Sequence, residues 1–393
     1  MLNSLEIKNF RALEDFKVAK LGRVNLIVGK NNSGKSTVLE ALRIYAGNAQ
    51  RELLVEIAKS HDETYQLAEV KFGDLNPSMP FEDLFTGRRL PDDETEIVIG
   101  ESENSLQALY IGYRINFDTD EVELIGGEIP NVLHDFPDGD ATKSQYINLI
   151  IERGADFVTK REKLILIKNK KAISIFLSDE FSPHRNYLFH EGLDMTACSF
   201  IPTQLISIDE LAKEWDDIVG TEHEDIVKQA LRIIMPEFVN IYFVQNSKVA
   251  SSMGGSQRIV KVKLPDLPRP VPLKSLGDGM IRILQLALKL VSAQGGFLLI
   301  DEIENGLHYS IQEQVWAWLF EVAERLDIQV FATTHSWDCI ESFTKVANDN
   351  ETIEGVLVQM GKSARASNRG QIIANVFDKD SLYRMTQADI ELR

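Results

Sequence analysis

The stretch Gly29-Lys30-Asn31-Asn32-Ser33-Gly34-Lys35-Ser36 decides what kind of fold this chain can form. It has glycine, lysine and serine at every fixed position of the pattern G-x-x-x-x-G-K-[ST]. The apolar run Val24–Val28 before it predicts a buried strand, and the pattern of Ser36–Tyr45 predicts a helix. A glycine loop between a strand and a helix presents backbone N–H groups and the positive end of the helix to an anion. The stretch therefore predicts a phosphate-binding loop in an α/β fold.

The side chains of this loop indicate which phosphates are bound. We expect Lys35 to reach the β- and γ-phosphates of ATP, and the hydroxyl of Ser36 to bind Mg²⁺. The glycines allow the backbone to approach the phosphate oxygens closely. The predicted nucleotide contacts are Gly29, Lys30, Asn31, Asn32, Ser33, Gly34, Lys35, Ser36 and Thr37.

A second signal combines an apolar strand with two carboxylates. Phe297-Leu298-Leu299-Ile300 predicts a buried strand, and Asp301 and Glu302 follow it directly. Ligand sites in open α/β sheets lie at the carboxyl ends of the strands. We expect Asp301 to hold Mg²⁺ and Glu302 to polarise the attacking water as a general base.

Two further polar segments complete the set. Thr333-Thr334-His335-Ser336 follows the predicted strand Gln329–Thr333, so we expect His335 to contact the γ-phosphate. Ser275-Leu276-Gly277-Asp278-Gly279 precedes a predicted helix, Ile281–Ser292, and is a second candidate anion site. One nucleotide needs no second phosphate loop from the same chain. The economical interpretation is that this segment covers the γ-phosphate bound by another copy, and the alternative is an ordinary turn before a helix.

The bulk composition restricts the class of protein. The 393 residues carry a net charge of −18, with 44% hydrophobic residues and two cysteines, Cys198 and Cys339. We expect a cytoplasmic protein with reduced thiols and no membrane association. An acidic surface repels the DNA backbone, so non-specific DNA binding is not the first expectation. The basic segment Lys160–Lys171 is interpreted as a solvated hairpin, and contact with nucleic acid or an acidic partner is the alternative.

The chain shows a change of pattern in its middle. Alternating strands and helices at both ends predict an α/β head domain made from residues 1–75 and 201–393, with a parallel sheet. Residues 76–200 predict short strands, including Glu96–Gly100 and Glu121–Ile125, and are interpreted as an inserted or accessory subdomain. Some of these strands are expected to join an antiparallel layer of the head.

The motifs together resemble a known family. GKNNSGKST, SLGDGM, LLIDE and TTHS, in that order, look like the Walker A, signature, Walker B and switch-histidine elements of ABC-type ATPases. Within these ATPases the chain resembles the soluble branch that contains SMC proteins, RecF and the OLD nucleases. The stretches Asp301–His308 and Leu5–Arg11 point to the OLD group. The resemblance covers residues 1–60 and 260–393.

This resemblance implies a fold and further site residues. The implied fold is an ABC-type head, a mixed or parallel sheet flanked by helices with an antiparallel β layer, plus an inserted α+β subdomain. ATP would lie between two copies of the chain, as a dimer or a higher oligomer. The signature contact is left open between Ser275 and Gly277, Arg11 would lie near the phosphates or base, and Gln66 is the candidate for the Q-loop. The D-loop would consist of Glu304, Asn305, Gly306 and Leu307.

The resemblance also implies that ATP hydrolysis and nucleic-acid cleavage belong to separate proteins. OLD nucleases carry a TOPRIM domain, and too few residues follow His335 to form one, so we expect an ATP hydrolase that does not cut nucleic acid. The segment Asp378-Lys379-Asp380 is interpreted as a surface turn. Without a nuclease domain the chain resembles the ATPase subunits of two-component anti-phage systems such as PARIS and Septu. That implies a separate TOPRIM or HNH nuclease and a nucleic-acid or phage-derived trigger. The alternative is a RecF- or SMC-like ATPase that acts on DNA in repair.

Overall fold

The computed structural model describes residues 1–63, 81–89, 95–102, 104, 107–118, 159–169, 171–176, 195–245, 258–365, 368–378 and 381–382. The predicted strand Glu121–Ile125, the Q-loop candidate Gln66, and Lys379 and Asp380 of the predicted turn lie outside these ranges.

The described residues form fifteen strands and seven helices, with short 3₁₀ turns at Phe81–Leu84 and Leu273–Leu276. The strands are β1 (Leu5–Phe10), β2 (Leu13–Val18), β3 (Val24–Gly29), β4 (Glu96–Gly100), β5 (Leu109–Asp118), β6 (Thr159–Lys168), β7 (Lys171–Phe176), β8 (Cys198–Ile201), β9 (Asn240–Gln245), β10 (Arg258–Lys263), β11 (Val271–Pro272), β12 (Phe297–Ile300), β13 (Gln329–Thr334), β14 (Gly355–Lys362) and β15 (Ile372–Phe377). The helices are α1 (Lys35–Ala46), α2 (Arg51–Ser60), α3 (Ile208–Ile218), α4 (His223–Ile234), α5 (Asp278–Ser292), α6 (Tyr309–Arg325) and α7 (Trp337–Asp349).

The central sheet positions the site. Its strand order is β15-β14-β3-β13-β12-β8, with every neighbouring pair parallel except β14 and β15. All residues of β3 and β12 are buried, as expected for parallel strands covered on both faces. Because β3, β12, β13 and β8 run in the same direction, their carboxyl ends meet at one edge. The α/β prediction, with a mixed sheet flanked by helices, is confirmed.

Two cores lie on opposite faces of this sheet. Side chains alternate along each strand, so Leu298 and Ile300 enter one core, with helices α3 to α7, while Phe297 and Leu299 enter the other. In the second core α1 packs between the central sheet and a six-stranded antiparallel sheet of order β2-β1-β4-β5-β6-β7. The predicted antiparallel layer is therefore present.

Strands from the middle of the chain belong to these two sheets. Ile7 of β1 pairs with Ile99 of β4, and the antiparallel ladder continues through β5, β6 and β7. β8 instead pairs with β12 in the central sheet. The expectation that some of these strands join the antiparallel layer is thus met for β4 to β7. The boundaries 76 and 200 stay a prediction.

Local signals account for several element boundaries and for one basic residue. Helix α3 begins after Ser207, whose side chain accepts a hydrogen bond from the N–H of Glu210 at 3.2 Å, as the capping pattern predicts. In the basic hairpin β6–β7, Lys168 is buried. Its ammonium donates to the carbonyl oxygen of Tyr45 at 3.0 Å and to Oδ1 of Asn48 at 2.8 Å. This lysine fastens the hairpin to the end of α1 instead of facing water.

A buried aromatic side chain of β13 allows the packing of the core to be tested. Phe331 is 1% exposed, and its ring meets that of Phe297 edge-on with 5.9 Å between centroids. We predict that Phe331→Ala lowers the free energy of unfolding by about 3–5 kcal/mol, because it removes buried apolar contacts and leaves a cavity. Urea unfolding measures this change. Val219→Ala, at an exposed position, is the control, and equal losses in both variants would contradict the packing described.

Candidate nucleotide-binding and hydrolysis site

The phosphate-loop motif lies where the sequence predicts, between β3 and α1. Gly34 has φ 88° in the left-handed region, and a Cβ there would approach side chains of Ile372 and Leu13 at 3.1 and 3.3 Å. Both facts favour glycine at this position. The ammonium of Lys35 donates to the carbonyl oxygens of Gly29 at 2.9 Å and Lys30 at 3.2 Å. The lysine is therefore held over the loop that would surround a phosphate.

The electrostatics of Lys35 fit an anion site. Burial lowers the pKa of its ammonium from the ordinary value, and the carboxylates of Asp301, Glu302 and Glu304 act in the opposite direction. Desolvation disfavours the charged form, so an incoming phosphate would relieve part of the cost. The arrangement favours a ligand with several negative charges.

The carboxylate of Asp301 joins three segments of the chain. The hydroxyl of Ser36 lies 3.3 Å from both of its oxygens, and the hydroxyl of Thr333 donates to Oδ1 at 2.6 Å. The hydroxyl of Thr203 donates to Oδ2 at 3.3 Å. The predicted pair Ser36 and Asp301 is therefore brought together across the sheet edge.

The side-chain oxygens of Ser36 and Asp301 are suitable ligands for Mg²⁺. Mg²⁺ prefers carboxylate, hydroxyl and water oxygens, and it often uses only one or two protein ligands plus substrate phosphates. Within the described ranges, no group of three or more His, Cys, Asp and Glu side chains could hold a metal ion. Ser36 and Asp301 would thus hold Mg²⁺ together with the nucleotide and water.

Glu302 and His335 meet beside this carboxylate. Nδ1 of His335 lies 3.3 Å from Oε1 of Glu302, and the His335 side chain is half exposed. Glu302 has φ 47°, a left-handed conformation that is uncommon for residues other than glycine. Its N–H donates to the hydroxyl of Thr333 at 2.9 Å, which holds the residue in this conformation. The two predicted catalytic side chains share one opening of the site.

A buried arginine forms hydrogen bonds with backbone carbonyls just after β8 and β12. Arg282 of α5 is 1% exposed and donates to the carbonyl oxygens of Pro202 at 2.8 Å and of Asp301 and Glu302 at 3.0 Å each. Burial lowers its pKa to about 10, while nearby carboxylates oppose that shift. The guanidinium therefore donates to three backbone carbonyls that lie beyond the strands, of which that of Glu302 also accepts the N–H of Asn305 at 3.0 Å. Arg282 thereby connects α5, whose first residues belong to the signature segment, to the backbone of Asp301 and Glu302.

The signature segment and the D-loop are adjacent and exposed. Gly277 has φ 99°, so this position favours glycine, and the hydroxyl of Ser275 donates to the carbonyl oxygen of Pro272 at 2.6 Å. A Cβ on Gly279 would lie 3.0 Å from the carbonyl oxygen of Gly306. Ser275, Gly277, Asp278, Asn305 and Gly306 are all exposed. Neither Ser275 nor Gly277 is singled out as the phosphate contact, so that choice stays open.

Arg11 lies in a carboxylate cluster. Its guanidinium donates to both oxygens of Glu63 at 2.9 and 2.7 Å, and its Nε lies 3.2 Å from a carboxylate oxygen of Glu40 on α1. His61 contacts the other oxygen of Glu40, and that hydrogen bond raises the pKa of His61. A nucleotide contact by Arg11 stays a prediction, and it would require the guanidinium to leave these partners.

Three residues of the site have no role assigned from the sequence. Thr203 follows β8, Thr333 is the last residue but one of β13 and lies within the TTHS segment, and Arg282 interrupts an apolar helix. Nothing in the sequence indicates that β8 is the neighbour of β12, so the position of Thr203 could not be foreseen. Gln204, which follows Thr203, is exposed.

The fold and site together define a P-loop ATPase. A protein-family model described as an AAA ATPase domain matches residues 1–263. A second model, described as an AAA domain, putative AbiEii toxin, type IV TA system, matches residues 217–338. Because the first match covers more than half of the 393 residues, the chain belongs to the AAA ATPase domain family.

Individual proteins show more distant similarity. An ATP/GTP phosphatase of Helicobacter pylori is 23% identical over 366 residues, which is 89% of this chain and 90% of that protein. An uncharacterized protein of Methanocaldococcus jannaschii is 47% identical over 45 residues, which is 12% of this chain and 20% of that protein.

Solved structures of SMC heads align over most of the chain. The SMC head bound to the C-terminal winged-helix domain of ScpA is 12% identical, covers 96% of this chain and 98% of its own, and has a TM-score of 0.46. The SMC head domain from Thermotoga maritima is 12% identical, covers 95% and 98%, and has a TM-score of 0.39.

In the part of the chain described here, no helix has the length and apolar character needed to cross a bilayer.

Thr333 provides a test of the metal site. We predict that Thr333→Val raises the Mg²⁺ concentration for half-maximal ATP hydrolysis by about 10-fold or more, since partners that orient a metal ligand typically contribute that much. Magnesium titrations of the ATPase rate measure the effect. Thr344→Val is the matched control, because Thr344 is equally buried and its hydroxyl donates only within α7, to Ile340 at 2.8 Å. The same shift in both variants would contradict the role given to Thr333.

Arg282 provides a separate test of the strand end. We predict that Arg282→Gln lowers the free energy of unfolding by about 3 kcal/mol, because a shorter amide cannot reach the three partly buried carbonyls that the guanidinium bonds. Chemical unfolding measures the loss. Stability equal to that of the wild type would show that these carbonyls need no buried cation.

Proposed function

We propose that the chain is an ABC-type ATPase of the OLD-like branch that binds ATP between two copies of itself and controls a separate partner nuclease in anti-phage defence. The observation that carries the proposal is the convergence of Ser36, Asp301, Glu302 and His335 at one sheet edge. Belonging to an AAA ATPase family supports the nucleotide chemistry. The similarity to an ATP/GTP phosphatase supports hydrolysis in particular.

Each residue has a defined part in the proposed hydrolysis. The loop around Lys35 binds the β- and γ-phosphates, and Ser36 with Asp301 holds Mg²⁺, which neutralises charge on the phosphates. Glu302 accepts a proton from the attacking water, and His335 beside it contacts the γ-phosphate. Gln204, at the end of the neighbouring strand, takes the Q-loop position in this proposal.

Self-association is supported by what the chain exposes. The signature segment, Ser275–Gly279, begins a helix whose N-terminal N–H groups favour an anion, and the exposed D-loop lies against it. Two glycine-rich anion sites in one chain are accounted for if each serves a different copy. An ATP molecule on one copy would then be closed by the signature segment of the other.

One comparison supports a role in a two-component system. The second matching family model is described with a putative toxin of a type IV toxin–antitoxin system. A two-component system would separate the nucleotide switch from the effector. The RecF- or SMC-like alternative predicts ATP-dependent DNA binding, which the net charge of −18 opposes.

Glu302→Gln tests the closed assembly. We predict that this variant binds ATP, hydrolyses it at least about 100-fold more slowly because the general base is lost, and accumulates as a dimer or higher oligomer. Size-exclusion chromatography with light scattering, with and without ATP and Mg²⁺, measures the mass. Glu313→Gln, on the surface of α6, is the matched control. A Glu302→Gln variant that stays monomeric with ATP would contradict the shared site.

The same variant tests the partner. Purified from its native host in ATP, tagged Glu302→Gln should carry a nuclease that mass spectrometry identifies. Lys35→Ala, which loses the phosphate contact, should bring down much less of it. Recovery of DNA without a nuclease would favour the repair alternative, and recovery of neither would contradict the proposed role.

A further inference from the structure

A small cavity lies behind the D-loop. It has a volume of about 10 Å³ and is partly open, and it lies between the D-loop, α6 and α7, with Glu304 and Gln312 beside mainly apolar residues in its lining. A space of about this size holds one water molecule. The cavity thus lies between the D-loop, which is expected to meet a second copy, and α7, the helix that follows His335.

Two polar atoms at this cavity lack partners. Oε2 of Glu304 and Oε1 of Gln312 are buried, and neither forms a hydrogen bond with the described residues. The amide nitrogen of Gln312 donates to the carbonyl oxygen of Leu307 at 3.4 Å, which fixes its oxygen as the remaining acceptor. Two acceptors cannot bond to each other. One water molecule, which donates two hydrogens, can satisfy both.

The other oxygen of Glu304 holds the switch histidine. Oε1 accepts the backbone N–H of His335 at 3.2 Å and lies 3.6 Å from Nδ1 of the same residue. Nδ1 of His335 in turn lies 3.3 Å from Glu302. The Glu304 side chain is only 12% exposed, so the D-loop is attached to His335 from inside the protein.

We propose that Glu304 is a positioning residue for His335. One carboxylate oxygen fixes the histidine backbone, and one water molecule in the cavity bonds the other oxygen to Gln312 of α6. Glu304 thereby holds His335 in the position from which it contacts the γ-phosphate. This inference rests on the proposed hydrolysis of ATP at this site.

Kinetics of four variants test the proposal. We expect Glu304→Ala to lower kcat by about 100-fold with KM within about twofold, since a misplaced catalytic group costs about this much. Glu304→Gln keeps an oxygen for the N–H of His335 and should retain kcat within about tenfold of the wild type. Gln312→Leu removes the second acceptor and should lower kcat about tenfold. The surface variant Glu313→Gln is the control and should match the wild type.

A double-mutant cycle tests the water bridge itself. If Glu304 and Gln312 act through one network, Glu304→Ala with Gln312→Leu should be no slower than Glu304→Ala alone. Losses that multiply would overturn the bridge. Wild-type kcat in a folded Glu304→Ala would overturn the positioning role while leaving the proposed function intact. If Glu304→Ala does not fold, a wild-type kcat in Gln312→Leu overturns the proposal instead. A wild-type protein that hydrolyses no ATP would overturn both.

Discussion

The carboxylate of Asp301 is the point on which the rest of the site depends. It receives the hydroxyl hydrogens of Thr333 and Thr203 and faces Ser36, so three segments distant in sequence converge on two oxygen atoms. This convergence follows from the parallel order of β3, β13, β12 and β8, whose carboxyl ends meet at one edge. A buried guanidinium, that of Arg282, holds the backbone beneath it. The sheet therefore assembles the site before any ligand arrives.

Much of this arrangement could be predicted from local patterns. The phosphate loop, the Walker B strand and the strand before His335 are each signalled by a few consecutive residues, and all three lie where the pattern places them. Strand order is not a local property. The pairing of β8 with β12, which brings Thr203 to Asp301, and the joining of β4 to β1 depend on contacts across long stretches of chain. The carboxylate partners of Arg11 depend on such contacts too.

One side of the site is buried within the protein, and the other side is exposed to solvent. Arg282 and Thr333 hold the carboxylates from within the protein, whereas Asn305 and Gly306 of the D-loop and most of the signature segment are exposed. Glu304 is the residue that bridges these sides, with His335 on one oxygen and the cavity on the other. In the proposed function a second copy of the chain closes the exposed side. Regulation of hydrolysis by assembly would follow from that closure.

The most direct measurement is a crystal structure of Glu302→Gln with ATP and Mg²⁺. The account predicts that the Lys35 ammonium leaves the carbonyls of Gly29 and Lys30 for the β- and γ-phosphates, with Ser36 on the metal and the signature segment of a second copy on the γ-phosphate. A nucleotide bound elsewhere, with Lys35 still on those carbonyls, would contradict it.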